Sequence, residues 1–357
     1  MYSDRKKLIT SLETLRGSRV LSYILSDRES IPVVPGFSTQ LASEPQLLIL
    51  DQLKAIGKTK NLDVFLFTRG GATDSVWPLI SLLRQYGEHI TVFVPFRAHS
   101  AGTLICLGAD EVVMSEAGEL SPIDPTTGNQ FNPPDPTNMQ NRFGISVEDV
   151  TAYFQLASKR AQITTVEDKI EVFKELTKQV HPLALGNVER VYSQIRRLAH
   201  SLLELHLEKN DGSTKTDDII KALTEEFYSH VHAINRGEAI ALLGDWVRAP
   251  SDEESLIIWD LFNSYANTLS LRNKFELASF MGDNPFKDLT AIGGFIETTE
   301  LSHVYLTTLK VIQRPNIPPN VQIQVPPGAA LPLAPGFTRS YEISPQGMSW
   351  KLNEQEI

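Results

Sequence analysis

Strand-like and helix-like patterns alternate between Ser18 and Met114, which predicts an α/β fold around a mainly parallel sheet covered on both faces. From Ser146 onward helical periodicity takes over, and after about Asn284 the chain becomes rich in β-branched residues and proline. The sequence therefore predicts an α/β core, a helical segment and a small β-rich C-terminal extension.

Each element has its own signal. Leu8, Ile9, Leu12 and Leu15 recur at helical spacing before Gly17, giving an opening amphipathic helix that stops there. SRVLSYIL, from Ser18 to Leu25, reads as a strand, and Leu47 to Leu53 as a helix. LDVFLFT, from Leu62 to Thr68, is a strand that ends at Arg69-Gly70-Gly71. Val76, Leu79, Ile80 and Leu83 form the buried stripe of the next helix. Ile90 to Val94 and Glu111 to Met114 are strands, with Thr103 to Leu107 in a helix between them. These strands are continuous apolar runs rather than alternating ones, as burial on both faces requires.

Asp124 to Gly144 (DPTTGNQFNPPDPTNMQNRFG) is rich in Pro, Asn and Gly and reads as a long irregular loop of the kind that forms lids or contacts substrates, with disorder as the alternative. Val188, Val191, Ile195, Leu198, Leu202 and Leu205 step by three and four, making a core or partner-facing helix. HVYLTTLKVIQRP and NVQIQVPPGAALPLAPGF carry the C-terminal β signal. As domains, this gives residues 1–250 with a helical insertion at about 146–220, then 251–357 as a helix plus the β-rich extension.

Composition narrows the function. A chain of 357 residues with 41% apolar and 21% charged side chains is an ordinary globular protein. Its net charge of -10 argues against general nucleic-acid binding, which needs a dense basic surface. Arg5, Lys6 and Lys7 form one short basic run, read as a solvated helix start. Cys106 is the single cysteine, so no intramolecular disulfide or Cys-based zinc site is expected, and a reducing cytoplasm fits. In the run LICLGA it reads as a small core residue. No stretch reaches the ~18 apolar residues of a membrane span, and MYSDRKKLITSLETL lacks the apolar core of an export signal.

The chemistry concentrates between Phe65 and Pro125. Gly70 and Gly71 close a strand, where missing Cβ atoms let backbone amides approach a ligand and can form an oxyanion hole; on its own the pair reads as a plain turn. Ser100, in Ala98-His99-Ser100-Ala101-Gly102-Thr103, precedes an apolar helix. As a residue it fits a helix N-cap and a nucleophile equally well.

RGG, then AHSAGTLICLGADEVVM, then GELSPIDP resemble the ClpP/crotonase-fold serine peptidases: the Clp proteolytic subunit, signal peptide peptidase A and, above all, the serine dehydrogenase proteinases. The likeness runs from about Gly17 to about Gly244. It implies a ClpP/crotonase-like spiral of ββα units, a nucleophile at Ser100, and oxyanion donors at Gly71 and Ala101, with Gly70 beside them. It also implies a polypeptide substrate, self-assembly into a homo-oligomer, and no cofactor or metal.

The catalytic base departs from the family pattern. Where Clp-type peptidases carry a histidine, this chain has Asp124, a poor base for serine. The helix start at Ser146-Val147-Glu148-Asp149-Val150 lacks the lysine of the signal-peptide-peptidase branch, and Lys159 lies ~15 Å further along that helix. His230 and His232 precede Arg236-Gly237-Glu238-Ala239, a segment resembling the one that holds the Clp triad aspartate. Either could pair with Asp124, exchanging the two residue types between the two positions. A satisfied polar histidine pair is the alternative, and Asp124 could equally close a turn with Pro125. His99 adjoins Ser100 but should diverge from it. His181 reads as a helix N-terminal feature, Asp74 as a helix N-terminal acid, and Trp77 and Tyr153 as core.

These residues favour a serine peptidase. A non-catalytic scaffold of the same fold is the second reading. A crotonase-type acyl-CoA enzyme is the third, disfavoured by Ser100 and by the absence of paired acids near Gly71.

Overall fold

Nine-residue and eight-residue apolar strands dominate the centre of the molecule, a computed structural model that describes residues 1–31, 39–124, 126–136, 138–207, 213–227, 229–316, 338–354 and 357. Pro125 and the run NVQIQVPPGAALPLAPGF lie outside the described residues. Helix α1 (Tyr2–Arg16) ends at Gly17, whose φ of 60° is the left-handed cap that glycine adopts without strain. There follow β1 (Arg19–Leu25), α2 (Gln46–Ile56), β2 (Thr59–Phe67), α3 (Val76–Tyr86), β3 (Gly87–Val94), β4 (Arg97–Ala98), α4 (Ala101–Leu107), β5 (Glu111–Met114) and β6 (Glu119–Leu120).

The segment expected to be an irregular loop contains short strands instead: β7 (Thr126–Thr127), β8 (Pro134–Asp135), β9 (Asn138–Arg142) and β10 (Ile145–Ser146). β7 pairs with β10 and β8 with β9, both antiparallel. These strands are too short and polar for an apolar alternation to reveal them. Asn132, 1% exposed, stands in for ladder hydrogen bonds by donating from Nδ2 to Thr127 O at 2.9 Å and to Phe143 O at 2.8 Å.

Helices α5 (Val147–Gln155), α6 (Val166–Gln179), α7 (Pro182–Leu203) and α8 (Ser213–Lys221) come next. The chain then gives β11 (Ile234–Asn235), α9 (Arg236–Leu243), β12 (Val247–Arg248), α10 (Asp252–Thr268), α11 (Leu277–Met281), β13 (Phe286–Glu297), β14 (Ser302–Pro315) and β15 (Arg339–Leu352). Among the described residues no helix is long and apolar enough to cross a membrane.

The main sheet has the order β12-β5-β3-β2-β1-β13-β14-β15. Its β12-to-β1 part is parallel, and β13 joins it antiparallel along β1. A second small sheet, β11-β6-β4, runs beside it. Long strand, short strand and helix recur in β3-β4-α4, and β5-β6 repeats the strand pair. This is a ClpP/crotonase-like α/β architecture with a β-rich C-terminal extension.

Side chains alternate along each strand, so the parallel strands feed two cores. Leu21, Leu66, Val92 and Met114 pack with helices α2, α3, α4 and α7. Val20, Phe65, Phe93 and Val113 face α1 and α10 through Ile9, Leu12, Ile258 and Tyr265. On α7 the expected stripe is mostly internal: Val188, Ile195 and Leu202 are buried, and Val191 and Leu198 pack against the core, while Leu205 is exposed. Cys106 is fully buried, and burial pushes its thiol pKa up, which suppresses thiolate chemistry. Trp77, expected in the core, is 42% exposed on α3. Tyr153 is half-buried and donates its hydroxyl to Val172 O at 3.1 Å.

One buried ion pair ties the chain's two ends to the sheet. Arg5 and Glu297 are both fully buried and bond in a bidentate fork at 2.8 and 2.7 Å. Glu297 also accepts from Tyr265 at 2.7 Å and Ser302 at 2.6 Å, and Arg5 donates to Ile357 O at 2.7 Å. The Arg5 guanidinium lies over the Phe295 and Tyr265 rings, at 4.5 and 5.0 Å. Removing one partner leaves a buried charge without its counterion. Arg5→Met is expected to lower the unfolding free energy by about 3–5 kcal/mol, read from the urea midpoint at constant m. A loss below about 1 kcal/mol would show that the pair does not hold the two ends together.

Candidate active site

The chain leaving β2 runs beside the chain that enters Ser100. Thr68 N donates to Arg97 O at 2.9 Å and His99 N to Thr68 O at 3.1 Å, so a single parallel bridge carries the sheet's alignment past its edge. Gly70 follows with φ 95°, a region side chains avoid. A Cβ there would lie 2.7 Å from His99 O and 2.8 Å from the Ser100 Cβ. Gly71 is equally confined, since a Cβ would lie 2.4 Å from Leu41 O. Leu41 brackets the pair by donating to Gly70 O and accepting from Ala72 N, both at 2.8 Å.

Ser100 itself has φ 50° and ψ −111°, an uncommon conformation for a residue with a side chain. Three contacts hold it. Its amide donates to Ser121 Oγ at 2.7 Å, its carbonyl accepts from Leu104 N at 3.1 Å, and Gly102 N reaches His99 O at 2.7 Å. Thr103 Oγ1 lies 2.9 Å from both Ala98 O and Ser121 O and accepts from Ser121 N at 3.1 Å, clamping the GELSPID segment to the turn. The Ser100 hydroxyl makes no capping bond to α4, and among the described residues it has no protein partner.

The three backbone candidates differ. Gly70 N donates to Thr68 Oγ1 at 3.0 Å and so is already engaged. Among the described residues the Gly71 and Ala101 amides have no protein acceptor, and Ala101 is the first residue of α4, where the helix leaves its N–H groups unmatched.

Asp124 is 1% exposed, and its Oδ1 lies 2.9 Å from His230 Nδ1. The other carboxylate oxygen is buried with no partner among the described residues. The bond to Asp124 raises the His230 pKa above that of a free imidazole, against the opposing effect of burial. His232, the other histidine considered, faces elsewhere: it lies 3.3 Å from Glu238 and stacks on Phe227.

Ser100, Gly71, Asp124 and His230 line one cleft of about 510 Å³, together with Gln40, Arg69, Asp74, Thr126, Val191 and Gln194. The remaining candidates fall outside it or serve structure. His99 lies 3.3 Å from Glu119, and burial lowers its pKa. His181 caps α7, its Nδ1 accepting from Leu183 N at 3.2 Å. Lys159 is exposed and does not line the cleft. Among the described residues no cluster of three His, Cys, Asp or Glu side chains is arranged to hold a metal ion. Sequence reasoning passed over Ser121, Thr103 and Thr68. Ser121 stood in the quoted motif, but its hydrogen bond to the Ser100 amide spans separate elements.

Among known proteins, residues 1–181 match the model of the ClpP-like SDH-type serine proteinases. An uncharacterised protein of Methanocaldococcus jannaschii is 26% identical over 239 residues, covering 66% of this chain and 70% of its own. A second from the same organism is 25% identical over 228 residues, covering 57% and 76% respectively. Two solved structures of the 1510-N membrane-bound stomatin-specific protease, one with a substrate peptide, align at TM-scores of 0.36 and 0.31. Their identities are 15% and 14%, with 61% and 62% of this chain covered and 78% and 94% of theirs.

Gly70→Ala tests the confinement of this turn. The added methyl must displace the His99–Ser100 backbone at a positive φ, so the variant is expected to lose about 1–3 kcal/mol of stability in urea titration. An unchanged midpoint would show that the turn is not held against Gly70.

Proposed function

The chain belongs to the ClpP-like SDH-type serine proteinase family, and from that premise we propose that it is a serine peptidase working through Ser100, with His230 as general base and Asp124 orienting it. One observation carries the reading: a histidine bonded through Nδ1 to a buried carboxylate shares a cleft with a serine of strained backbone and with Gly71, whose amide has no acceptor among the described residues. Asp124 favours the tautomer that carries its proton on Nδ1, which leaves the Nε2 lone pair for a serine proton.

In this mechanism Ser100 Oγ attacks the substrate carbonyl carbon as His230 Nε2 takes its proton. The tetrahedral oxyanion accepts hydrogen bonds from Gly71 and Ala101 N–H, helped by the N-terminal dipole of α4. His230 returns the proton to the leaving amine, and water then releases the acyl group by the same steps. Ser100 and His230 do not hydrogen-bond in the present conformation. Such contacts commonly close only in the substrate complex. The buried, unpartnered Asp124 oxygen adds field strength that stabilises an imidazolium.

The substrate in this reading is a polypeptide, and the working form is a cytoplasmic homo-oligomer. The exposed apolar residues Val166, Ile170 and Phe173 on α6, at helical spacing, supply a face for self-association.

Fluorophosphonate labelling tests the site directly. Wild type should label and Ser100→Ala should not. The labelling rate should climb with pH through a midpoint above ~6.5, because only neutral His230 acts as base and its pKa is raised. Asp124→Asn should move that midpoint down and slow labelling by about 10³–10⁴-fold. Labelling that is independent of pH from about one unit below to about two units above the free imidazole value, or untouched by His230→Ala, would remove His230 from the mechanism.

A further inference from the structure

A second groove continues the cleft along α7. Leu183, Gly186, Asn187 and Arg190 line a shallow depression of about 610 Å³, with Asn129, Gln130 and Phe131 on its other side. On α7 these residues continue into the cleft-lining Val191, Gln194 and Ile195 at alternating steps of three and one, which is one helix face. Opposite them, the segment that contributes Ile123, Asp124 and Thr126 to the cleft runs on to contribute Asn129 to Phe131 to the groove. The same two walls therefore flank both. The centres of the two α7 stretches are about seven residues apart, ~10 Å at helical rise, the length of roughly three residues of extended chain.

The groove is preformed. Phe131 stacks on His181 with ring centroids 4.8 Å apart and planes 20° apart, joining its loop to the N-terminus of α7. Asn129 Oδ1 accepts from Phe131 N at 2.8 Å, and Asn132 braces the turn from beneath. Leu183 is 57% exposed and lines the groove, so its side chain is accessible to a ligand. A Cβ added to Gly186 would meet nothing within 4 Å, so the floor between Leu183 and Phe131 is open space. Arg190 is turned to Asn187 Oδ1, at 2.6 Å, which leaves the apolar walls to define selectivity.

We propose that this groove is a distal subsite that takes a large apolar side chain, aromatic or leucine-like, of the same polypeptide whose scissile bond lies at Ser100. The inference rests on the peptidase reading only for the polymeric nature of its occupant. Continuity of the two walls identifies that occupant, since a chain leaving the cleft between α7 and the 123–131 segment passes over Gly186 and Phe131.

The test uses Ser100→Ala full-length protein and fluorescein-labelled decapeptides of an alanine-glycine-serine background, each with a single phenylalanine at a different position. Fluorescence polarisation should show one register binding about 10-fold tighter than the all-small peptide, the worth of partly burying one aromatic ring. Gly186→Leu, added to that protein, starts from a Cβ position in open space, extends a branched side chain into the groove, and should remove the preference while leaving the all-small peptide unchanged. Leu183→Asp should do the same. Equal affinity across all registers, or an equal loss for both peptides in the two variants, would overturn the subsite. Fluorophosphonate labelling of Ser100 in the Gly186→Leu and Leu183→Asp single variants separates the two ideas. It should match wild type, and if wild type itself does not label while the register preference holds, the peptidase reading fails and the groove stands.

Discussion

Everything at the cleft depends on one close approach, the Gly70 backbone against the turn that carries Ser100. With no side chain, Gly70 lets the chain leaving β2 lie within van der Waals contact of His99 O and Ser100 Cβ. The bridge between Thr68 and Ala98 sets the register of that contact, and Thr68 also engages the Gly70 amide through its hydroxyl. The consequence is a division of labour among neighbouring amides. Ser100 and Gly70 are tied down by Ser121 and Thr68, while among the described residues the Gly71 and Ala101 amides have no protein acceptor, and Gly71 lines the cleft. A strained φ at Ser100 persists because the surrounding bonds over-determine it, which is how a sheet and a helix can hold a hydroxyl away from its usual capping role.

The opposite wall has a different physical basis. Asp124 is buried by the packing beside β6 and α7, and His230 reaches it from a segment distant in sequence that ends in β11. A buried carboxylate with one hydrogen-bonded oxygen is costly in isolation, and a histidine that can take up a proton offsets part of that cost. The same logic operates on a larger scale at Arg5 and Glu297, where a fully buried pair joins α1, α10, the β13–β14 hairpin and the chain's last residue. That pair fastens the β-rich extension to the edge of the parallel sheet at β1, so the C-terminal strands continue the main sheet.

Much of this was legible in the residues. Continuous apolar runs at Leu62–Thr68 and Ile90–Val94 read as doubly covered strands because burial on both faces leaves no polar alternation, and they form β2 and β3. Ser100 and the glycine pair stood out because small residues at a strand end and before a helix are a local, sequential pattern. Two histidines stood near the right place, but nothing local separates His230 from His232. Their bonds go to Asp124 and Glu238, a choice made by how the β11 approach folds over β6. Trp77 looked like core because helical stripes do not reveal which face a flanking residue takes. The strands within residues 126–146 were invisible because they are only two to five residues long and carry no apolar alternation.

The sequence by itself determined the α/β class, the order of the long strands and helices through Met114 (though not the two-residue β4), the family, and the candidate serine with its neighbouring glycines, because each rests on contacts between residues close along the chain or on a contiguous motif. Only the tertiary structure decided which histidine meets Asp124, which amides remain free, and that α7 presents one continuous face from the cleft to Phe131. Those features join positions up to 106 residues apart. Their partners are chosen by the packing of whole elements, and that packing leaves no short-range signature in the order of residues.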